Sequence, residues 1–117
     1  MTDQEHADLS RRLALAIGYA PESVRVRTNP PDASEWIVCE VYRQSTFDYK
    51  PWWHVFDYRQ PDVALPVLKW LMETHDCAVF YVDRLGMYSI EQCGWPFEAD
   101  TLEEAIARAA CAVKGIR

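Results

Sequence analysis

The residues CAVFYVDRLGMYSIEQ, at positions 77–92, form two runs rich in β-branched and aromatic side chains with a short break between them. This composition favours β-strands over residues 77–83 and 86–92. Gly86 suits a turn position with a positive backbone φ, which most other residues avoid. We therefore predict an antiparallel β-hairpin that turns at Arg84 and Leu85.

A helix is predicted after the hairpin, in residues 99–115, ADTLEEAIARAACAVKG. Thr101 with Glu104, or Asp100 with Glu103, has the spacing of a capping box, and a glycine near the end suits a helix stop. The predicted inner face is rich in small side chains, which let a helix lie close to a sheet: Leu102, Ala105, Ile106, Ala109 and Val113.

Another helix is predicted before the hairpin, from Pro61 onwards. Apolar residues recur there at helical spacing and form one face: Val63, Val67, Leu68, Leu71 and Met72. Asp62 is favourable at the positive N-terminal end of a helix. Because Pro66 cannot donate a backbone hydrogen bond, we expect a helix start near Asp62 or a kink at Pro66.

The N-terminal part of the chain has the pattern of one helix and three strands. Helical spacing over residues 3–18 predicts a helix that stops at Gly18. The segment VRVRT, residues 24–28, alternates like a short edge strand. Residues 35–43, EWIVCEVYR, are apolar on both faces and predict a central strand, and residues 52–58 predict the strand that follows it.

The run YKPWWHVFDYRQP, residues 49–61, is unusually aromatic. Alternation along a strand places Trp52 and Phe56 on one face and Trp53 on the other. A strand with large residues on both faces is typical of a core wall, so we predict structural roles for Trp53 and Phe56. Trp52 is expected to be the exposed tryptophan of the pair and to contact a partner.

These elements predict an α+β fold in one domain over residues 1–117. We expect a three-layer α-β-α sandwich with a mainly antiparallel sheet of about four strands and three helices. The length of 117 residues is close to that of one ordinary domain, and a hydrophobic fraction of 50% is sufficient for a core.

The segments LSRRLALAIGY, FDYRQPDVALPVLKWL and ADTLEEAIARAACAVKG, together with the hairpin, resemble small phage and prophage proteins of the phage ABA sandwich family. The resemblance covers about two thirds of the chain. It implies the three-layer fold and a phage origin, and it supplies no catalytic residues because the family has no settled activity. The segment between Thr28 and Trp53 departs from the family pattern and is a candidate partner site.

The charge distribution favours a basic partner. The formal net charge is −6, and residues 61–100 alone hold seven acidic against two basic side chains. Phosphate binding depends on clustered Lys and Arg, so direct nucleic-acid binding is not expected. We predict an acidic binding surface, with Trp52 as an aromatic contact, formed by Asp76, Asp83, Glu91, Glu98 and Asp100. Modest acidity that only keeps the protein soluble is the alternative explanation.

The N-terminus has neither the basic start nor the apolar run of a secretory signal, and no segment approaches the roughly 18 apolar residues that span a bilayer. We therefore expect a cytoplasmic protein that does not contact a membrane. Thiols in the cytosol normally stay reduced, and no C-x-x-C pair occurs. Free structural thiols are predicted at Cys39, Cys77, Cys93 and Cys111.

No catalytic or metal-binding group is predicted. Cys39, His54 and Asp57 could act as nucleophile, base and orienting group, but a cysteine on an apolar strand is usually inert. A second candidate is a zinc site with His75, Cys77 and Cys93 as ligands. These residues lack the paired spacing of known zinc modules. A third candidate is a site for a hard cation, with Glu98, Asp100, Glu103 and Glu104 as ligands. Helix capping explains two of these acidic residues without a metal.

The sequence thus predicts a non-catalytic protein without a cofactor, which binds and inhibits a host protein, in the manner of phage inhibitors of nucleic-acid-handling immunity. Its oligomeric state stays open between monomer and dimer. The alternative function is a nucleic-acid-binding or replication accessory module. In that alternative, Trp52, Trp53 and Tyr42 stack on bases. Only three basic residues lie near these rings in the sequence: Arg43, Lys50 and Arg59.

Overall fold

The chain forms two compact units, each of which begins with a helix followed by a three-stranded antiparallel sheet. The computed structural model describes residues 2–28, 37–44, 51–82, 86–92 and 95–116. The units are Met1–Asp57 and Tyr58–Arg117. In both sheets each strand pairs with its neighbour along the chain. The second unit has one more helix after its sheet.

The first unit contains α1 (Asp3–Ala16), β1 (Val24–Thr28), β2 (Ile37–Gln44) and β3 (Pro51–Val55). The strand order is β1-β2-β3, so β2 is the central strand and β1 an edge strand, as the sequence predicts. The predicted strand over residues 52–58 is shorter in the structure. Just beyond Val55, the Phe56 amide donates to the Cys39 carbonyl oxygen at 2.8 Å.

Helix α1 starts with a capping box that was not predicted. The Thr2 Oγ1 accepts a bond from the Glu5 amide at 3.2 Å, and the Glu5 Oε1 accepts one from the Thr2 amide at 3.4 Å. The helix packs against β1 and β2. Leu9 and Leu13 are fully buried on its inner side, and Gly18 has a positive φ of 113° just after the helix ends.

The second unit contains α2 (Pro61–Thr74), β4 (Ala78–Val82), β5 (Met87–Gln92), β6 (Trp95–Ala99) and α3 (Leu102–Val113). Strands β4 and β5 form the predicted hairpin, and Gly86 has a φ of 61° at its turn. Asp83, Arg84 and Leu85 lie outside the described residues. Strand β6, which pairs with β5, was not predicted.

Helix α2 begins at Pro61 and continues through Pro66. The first helical position tolerates proline because its N–H would have no partner within the helix. The helix start predicted near Asp62 is therefore confirmed. One member of the predicted inner face is wrong: Met72 is 49% exposed. The buried residues of this helix are Ala64, Val67 and Leu71.

Helix α3 packs against β5, β6 and α2. The Thr101 Oγ1 accepts a bond from the Glu104 amide at 3.2 Å, which confirms the cap predicted from Thr101 and Glu104. Because α3 has a sheet on one side and a helix on another, more of its circumference is buried than a single stripe predicts. The buried residues are Ala105, Ile106, Ala107, Ala109, Ala110 and Cys111.

The prediction of an α+β fold with three helices and antiparallel pairing is confirmed. The prediction of one sheet of about four strands is wrong, because the described strands form two sheets of three. Strands pair with their chain neighbours, and α2 separates the first three from the last three. The single domain and the three-layer arrangement stay predictions. None of the described helices has the length and hydropathy needed to span a bilayer.

Candidate partner-binding face

Two of the predicted acidic residues lie on the same face of the β4-β5-β6 sheet. Glu98 on β6 is directly opposite Ser89 on β5, and Glu91 follows Ser89 by two residues along the same strand. Side chains two residues apart on a strand point to the same side. The pairing register therefore brings Glu91 and Glu98 together as diagonal neighbours on adjacent strands.

This side of the sheet is the one turned away from α3. Ile90 and Ala99, which alternate with the acidic residues, are buried at 0% and 4% exposure. They therefore form the side on which α3 packs against β5 and β6. We call the opposite side the acidic face, and its described members are Ala78, Phe80, Met87, Ser89, Glu91, Pro96 and Glu98.

Phe80 is an exposed aromatic residue beside the two carboxylates. It lies on β4 directly opposite Ser89, so Phe80, Ser89 and Glu98 form one row across the three strands. Phe80 is 48% exposed, and Glu98 is also exposed. Aromatic side chains are enriched at the centre of protein interfaces, whereas acidic side chains are depleted there and belong to the polar rim. Phe80 was not predicted as a site residue, because the hairpin pattern does not show which strand face stays open.

The carboxylates of the acidic face have no basic neighbour in the described part of the chain. No Lys or Arg is among the described members of this face. Among the described residues, no ion pair joins Glu91 or Glu98 to a basic side chain. Other acids of the same unit are paired: Glu104 with Arg108 at 3.0 Å, and Glu73 with Lys69 at 4.0 Å.

The structure places the remaining predicted acidic residues elsewhere. Asp100 is exposed just after β6, immediately before the Thr101 cap. Asp76 is exposed in the turn before β4, with a φ of 51°. In the strand register, Ala78 pairs with Glu91 and Ala99 pairs with Tyr88, so Asp76 and Asp100 lie at opposite ends of the sheet. Asp83 lies outside the described residues.

Ser89 is the most unusual polar residue of the acidic face. Its side chain is 2% exposed, and its Oγ has no hydrogen-bond partner. A buried hydroxyl without a partner loses its hydration without compensation, which costs roughly 1–3 kcal/mol. Ser89 is the smallest residue of its row, between Phe80 and Glu98, and its hydroxyl is closed to solvent.

The sheet of the first unit has an aromatic face on the side opposite α1. The Tyr42 and Trp53 ring centroids are 5.3 Å apart, and the Arg25 guanidinium carbon lies 4.0 Å from the Trp53 ring centroid. Arg25 also pairs with Glu40, Nε to Oε1, at 3.0 Å. The register places Arg27 on the same side, where it is exposed.

The basic residues of the aromatic face differ from those that the sequence suggested. Arg43 pairs with Trp52 on β3, which places both on the opposite side of the sheet, and Lys50 lies outside the described residues. Trp52 is 67% exposed, as predicted, whereas Trp53 is half-buried beneath Arg25. Of the residues predicted to form a core wall, Phe56 is buried and Trp53 only partly so.

The geometry of Cys39 argues against a thiolate nucleophile. Cys39 is 2% exposed on the side of the sheet that faces α1. Burial raises the pKa of its thiol from 9.0 to about 12, and nearby Glu40 and Asp57 add to the rise. Arg11 lowers the pKa by less than burial raises it, but by more than Glu40 or Asp57 raises it. The thiol therefore keeps its proton near neutral pH, and the arrangement of Cys39, His54 and Asp57 does not generate a thiolate.

The other candidate metal ligands are only partly described. Cys77 is buried, with its Sγ 3.8 Å from the His75 backbone oxygen. The His75 ring packs edge-on against Trp70, with centroids 4.7 Å apart. Cys93 lies outside the described residues. Over the part of the chain that the structure describes, no three His, Cys, Asp or Glu side chains are grouped to hold a metal ion.

No protein-family model matches the chain, and neither a similar curated protein nor a similar solved structure was found. The resemblance to the phage ABA sandwich family therefore stays a prediction.

Proposed function

We propose that the chain is a non-catalytic binding protein whose acidic face contacts a surface rich in Lys and Arg on another protein. The observation that carries the proposal is the placement of Glu91 and Glu98 on one open sheet face without a described basic neighbour. Two carboxylates held close together repel each other in the free protein. A cationic partner relieves that repulsion and gains favourable interaction with both.

Phe80 gives the acidic face an apolar contact in addition to its charge. Interfaces usually combine a few buried aromatic anchors with a polar rim, and the anchors supply most of the affinity. Phe80 is 48% exposed and lies in one row with Ser89 and Glu98. In the proposal it is the anchor, and the carboxylates set the orientation and the association rate. Asp76, Asp83, Asp100 and Trp52 stay predicted contributors to partner binding.

The partner that we propose is a host protein that handles nucleic acid, and the chain is its phage-encoded inhibitor in the host cytoplasm. This part of the proposal rests on the resemblance to phage proteins and on the net charge of −6. A protein that binds nucleic acid presents clustered Lys and Arg, which a carboxylate-bearing surface can occupy in place of phosphates.

The test compares two double variants with the same net charge. Capture from host lysate supplies candidate partners, and each purified candidate is titrated against the parent chain and both variants. The first variant, Glu91→Gln with Glu98→Gln, removes two charges from the acidic face. The control, Glu22→Gln with Glu73→Gln, removes two exposed charges elsewhere. We expect binding at least about tenfold weaker in the first variant only, which corresponds to about 1.4 kcal/mol.

Equal affinity of the two double variants for every candidate would contradict the proposal. Salt provides a second criterion, because the Debye length falls from about 10 Å at 0.1 M to about 3 Å at 1 M. Affinity of the parent chain should fall over this range, and the fall should be smaller for the acidic-face variant.

The aromatic face supports a second candidate function, the binding of single-stranded nucleic acid. The specific observation is that Arg25 and Arg27 share one open sheet face with Tyr42 and Trp53. Aromatic rings beside basic side chains are the usual arrangement for stacking bases and neutralising phosphates. Arg25 already covers part of Trp53 and pairs with Glu40, which leaves Arg27 and Tyr42 as the accessible groups.

Fluorescence anisotropy of a labelled oligothymidine distinguishes this candidate from the first. Binding that is lost in Tyr42→Ala and in Arg27→Gln, but kept in the acidic-face variant, favours nucleic acid. If the parent chain leaves the anisotropy unchanged at low salt, the second candidate is excluded.

A further inference from the structure

Among the described strands, β4 lies at one edge of its sheet and pairs with β5. An edge strand presents backbone N–H and C=O groups to which another strand can add, and proteins usually protect such edges with charged side chains or proline. The other edge strands of the two sheets carry this protection. β1 contains Arg25 and Arg27, β3 begins with Pro51, and β6 contains Pro96 and Glu98. Strand β4, with the sequence AVFYV, contains neither a charge nor a proline.

The edge at β4 is accessible from both sides of the sheet. Phe80 lies on the acidic face and is 48% exposed, and Ala78 on the same face is also exposed. Tyr81 is opposite Tyr88 on the side against which α3 packs, yet it is 56% exposed. Helix α3 packs against β5 and β6 and leaves the Tyr81 ring open to solvent. A strand added at β4 would therefore bury aromatic surface as well as pair backbone groups.

The sequence of β4 complements itself in antiparallel pairing. A two-fold axis normal to the sheet places one residue opposite its own copy, and only an axis at Phe80 pairs all five residues of the strand. Phe80 then lies beside Phe80 of the copy, and Val79 lies beside Tyr81 of the copy. Aromatic pairs and pairs of an aromatic with a β-branched residue stabilise sheets. Because β4 is uncharged, its residues bring no like charges directly opposite each other.

We propose that β4 pairs antiparallel with β4 of a second copy of the chain, centred on Phe80. The pairing joins two three-stranded sheets into one continuous sheet. A two-fold axis normal to the sheet keeps each face on its own side, so the acidic faces of the two copies lie next to each other. Five residues from each chain bury less than the roughly 1,200 Å² of the smallest stable interfaces, so the dimer is weak and reversible.

Sedimentation of the full chain tests the dimer at concentrations from about 1 µM to about 1 mM, the range in which weak complexes dissociate. We expect the average mass to rise from that of one chain towards that of two. Tyr81→Lys should weaken dimerisation at least about tenfold, because a lysine on an edge strand opposes strand addition. The matched control is Val55→Lys, which adds the same charge at an exposed position of the edge strand β3 and should dimerise like the parent chain.

Hydrogen exchange of the backbone amides, followed by NMR, locates the contact without a substitution. Amides of β4 that point away from β5 should exchange more slowly at high than at low chain concentration, because the second copy pairs with them. The amides of β1, an edge strand of the other sheet, are the internal control and should not change. If β4 is protected only when a captured partner protein is added, the edge belongs to that partner and the pairing of two copies is overturned.

Salt distinguishes the dimer from the function proposed for the acidic face. Two copies with a net charge of −6 repel each other, and salt screens this repulsion, so dimerisation should strengthen between about 0.1 M and 1 M salt. Binding of a cationic partner should weaken over the same range. A parent chain that stays monomeric up to about 1 mM at both salt concentrations overturns the pairing and leaves the proposed function intact. Equal dimerisation of Tyr81→Lys and Val55→Lys overturns it in the same way.

Discussion

The Arg25 guanidinium carbon lies 4.0 Å from the centroid of the Trp53 ring, although the two residues are 28 positions apart in the chain. The contact forms because β1 and β3 flank the central strand β2. Arg25 pairs with Glu40, and Trp53 pairs with Tyr42, which follows Glu40 by two residues. The two side chains therefore lie on the same face of the sheet and contact each other across β2. Trp53 is held by this contact as well as by burial.

A double-mutant cycle measures the coupling between these side chains. A cation and an aromatic ring at a partly exposed site attract each other by roughly 0.5–1 kcal/mol. The unfolding free energies of the parent chain, Arg25→Ala, Trp53→Leu and the double variant are measured in urea. We expect the coupling energy calculated from these four values to lie in that range. The loss of the Arg25–Glu40 pair occurs in both backgrounds and so cancels. A coupling indistinguishable from zero would show that the stacked geometry does not stabilise the fold.

Substitutions along the aromatic run should have graded effects on stability. Phe56 is 6% exposed, so Phe56→Ala should cost about 3–5 kcal/mol through lost burial and a cavity. Trp53→Ala should cost less, because Trp53 is only half-buried. Val55 is 60% exposed, so Val55→Ala serves as the control and should change stability by less than about 0.5 kcal/mol. Urea denaturation of the three variants ranks their losses of stability. A loss in Trp53→Ala as large as that in Phe56→Ala would contradict the predicted ranking.

The fold was predictable where the determining residues are close in sequence. Thr101 and Glu104 form the cap of α3, and Gly86 takes the positive φ of the hairpin turn, as their spacing indicated. Strand β6 was missed because a proline within a short apolar segment usually argues against a strand. Pro96 is accommodated because β6 is an edge strand, whose outer side needs no ladder hydrogen bonds.

The candidate site was predictable in charge but not in geometry. The acidic excess of residues 61–100 directed attention to Glu91 and Glu98, and the register places them on one face. Ser89 gave no signal, because its burial depends on which residues the neighbouring strands place beside it. Arg25 was missed for the same reason, since its contact with Trp53 requires two pairings that only the folded sheet specifies.

The raised pKa of Cys39 predicts a specific pH dependence of stability. The folded pKa is about 12, whereas the usual value is 9.0, so the folded chain keeps the thiol proton that the unfolded chain releases. Above pH 9.0 the unfolded state therefore binds fewer protons, and stability falls as the pH rises from about 9 towards 12. Cys39→Ala should remove this component, because the substituted side chain does not titrate.

The measurement is the unfolding free energy of both chains at several pH values over that range. Other groups also titrate there, so the informative quantity is the difference between the parent chain and Cys39→Ala. A thiol reagent supplies an independent check, because the Cys39 thiol should react only when the chain unfolds. Rapid modification of Cys39 in the folded protein at neutral pH would contradict the prediction.

Two buried serines should respond to alanine substitution in opposite directions. Ser10 and Ser89 are each 2% exposed, but Ser10 has an interaction partner and the Ser89 Oγ has no hydrogen bond. Ser89→Ala removes an unpaired polar group and should be neutral or stabilising by about 1 kcal/mol. Ser10→Ala removes a paired one and should destabilise by a similar amount. If Ser89→Ala destabilises as much as Ser10→Ala, the Ser89 hydroxyl has a partner in solution.

The closeness of Glu91 and Glu98 should itself reduce the stability of the free chain. The two carboxylates are diagonal neighbours on adjacent strands and have no basic neighbour in the described part of the acidic face. Diagonal neighbours on adjacent strands are roughly 7–8 Å apart, and two like charges at that distance in water repel by about 0.5 kcal/mol. Glu98→Gln should therefore raise the unfolding free energy by roughly 0.5 kcal/mol at low ionic strength. The gain should vanish near 1 M salt, where the Debye length is about 3 Å.

Glu73→Gln is the matched control, because Glu73 is an exposed acid of the same unit with Lys69 4.0 Å away. Its loss removes a weak attraction, so that variant should be neutral or slightly less stable at low salt. Urea denaturation of the three chains at low and high salt gives both comparisons. A Glu98→Gln chain that is no more stable than Glu73→Gln at low salt would show that the two carboxylates do not repel each other. The relief of repulsion would then contribute nothing to the binding of a cationic partner.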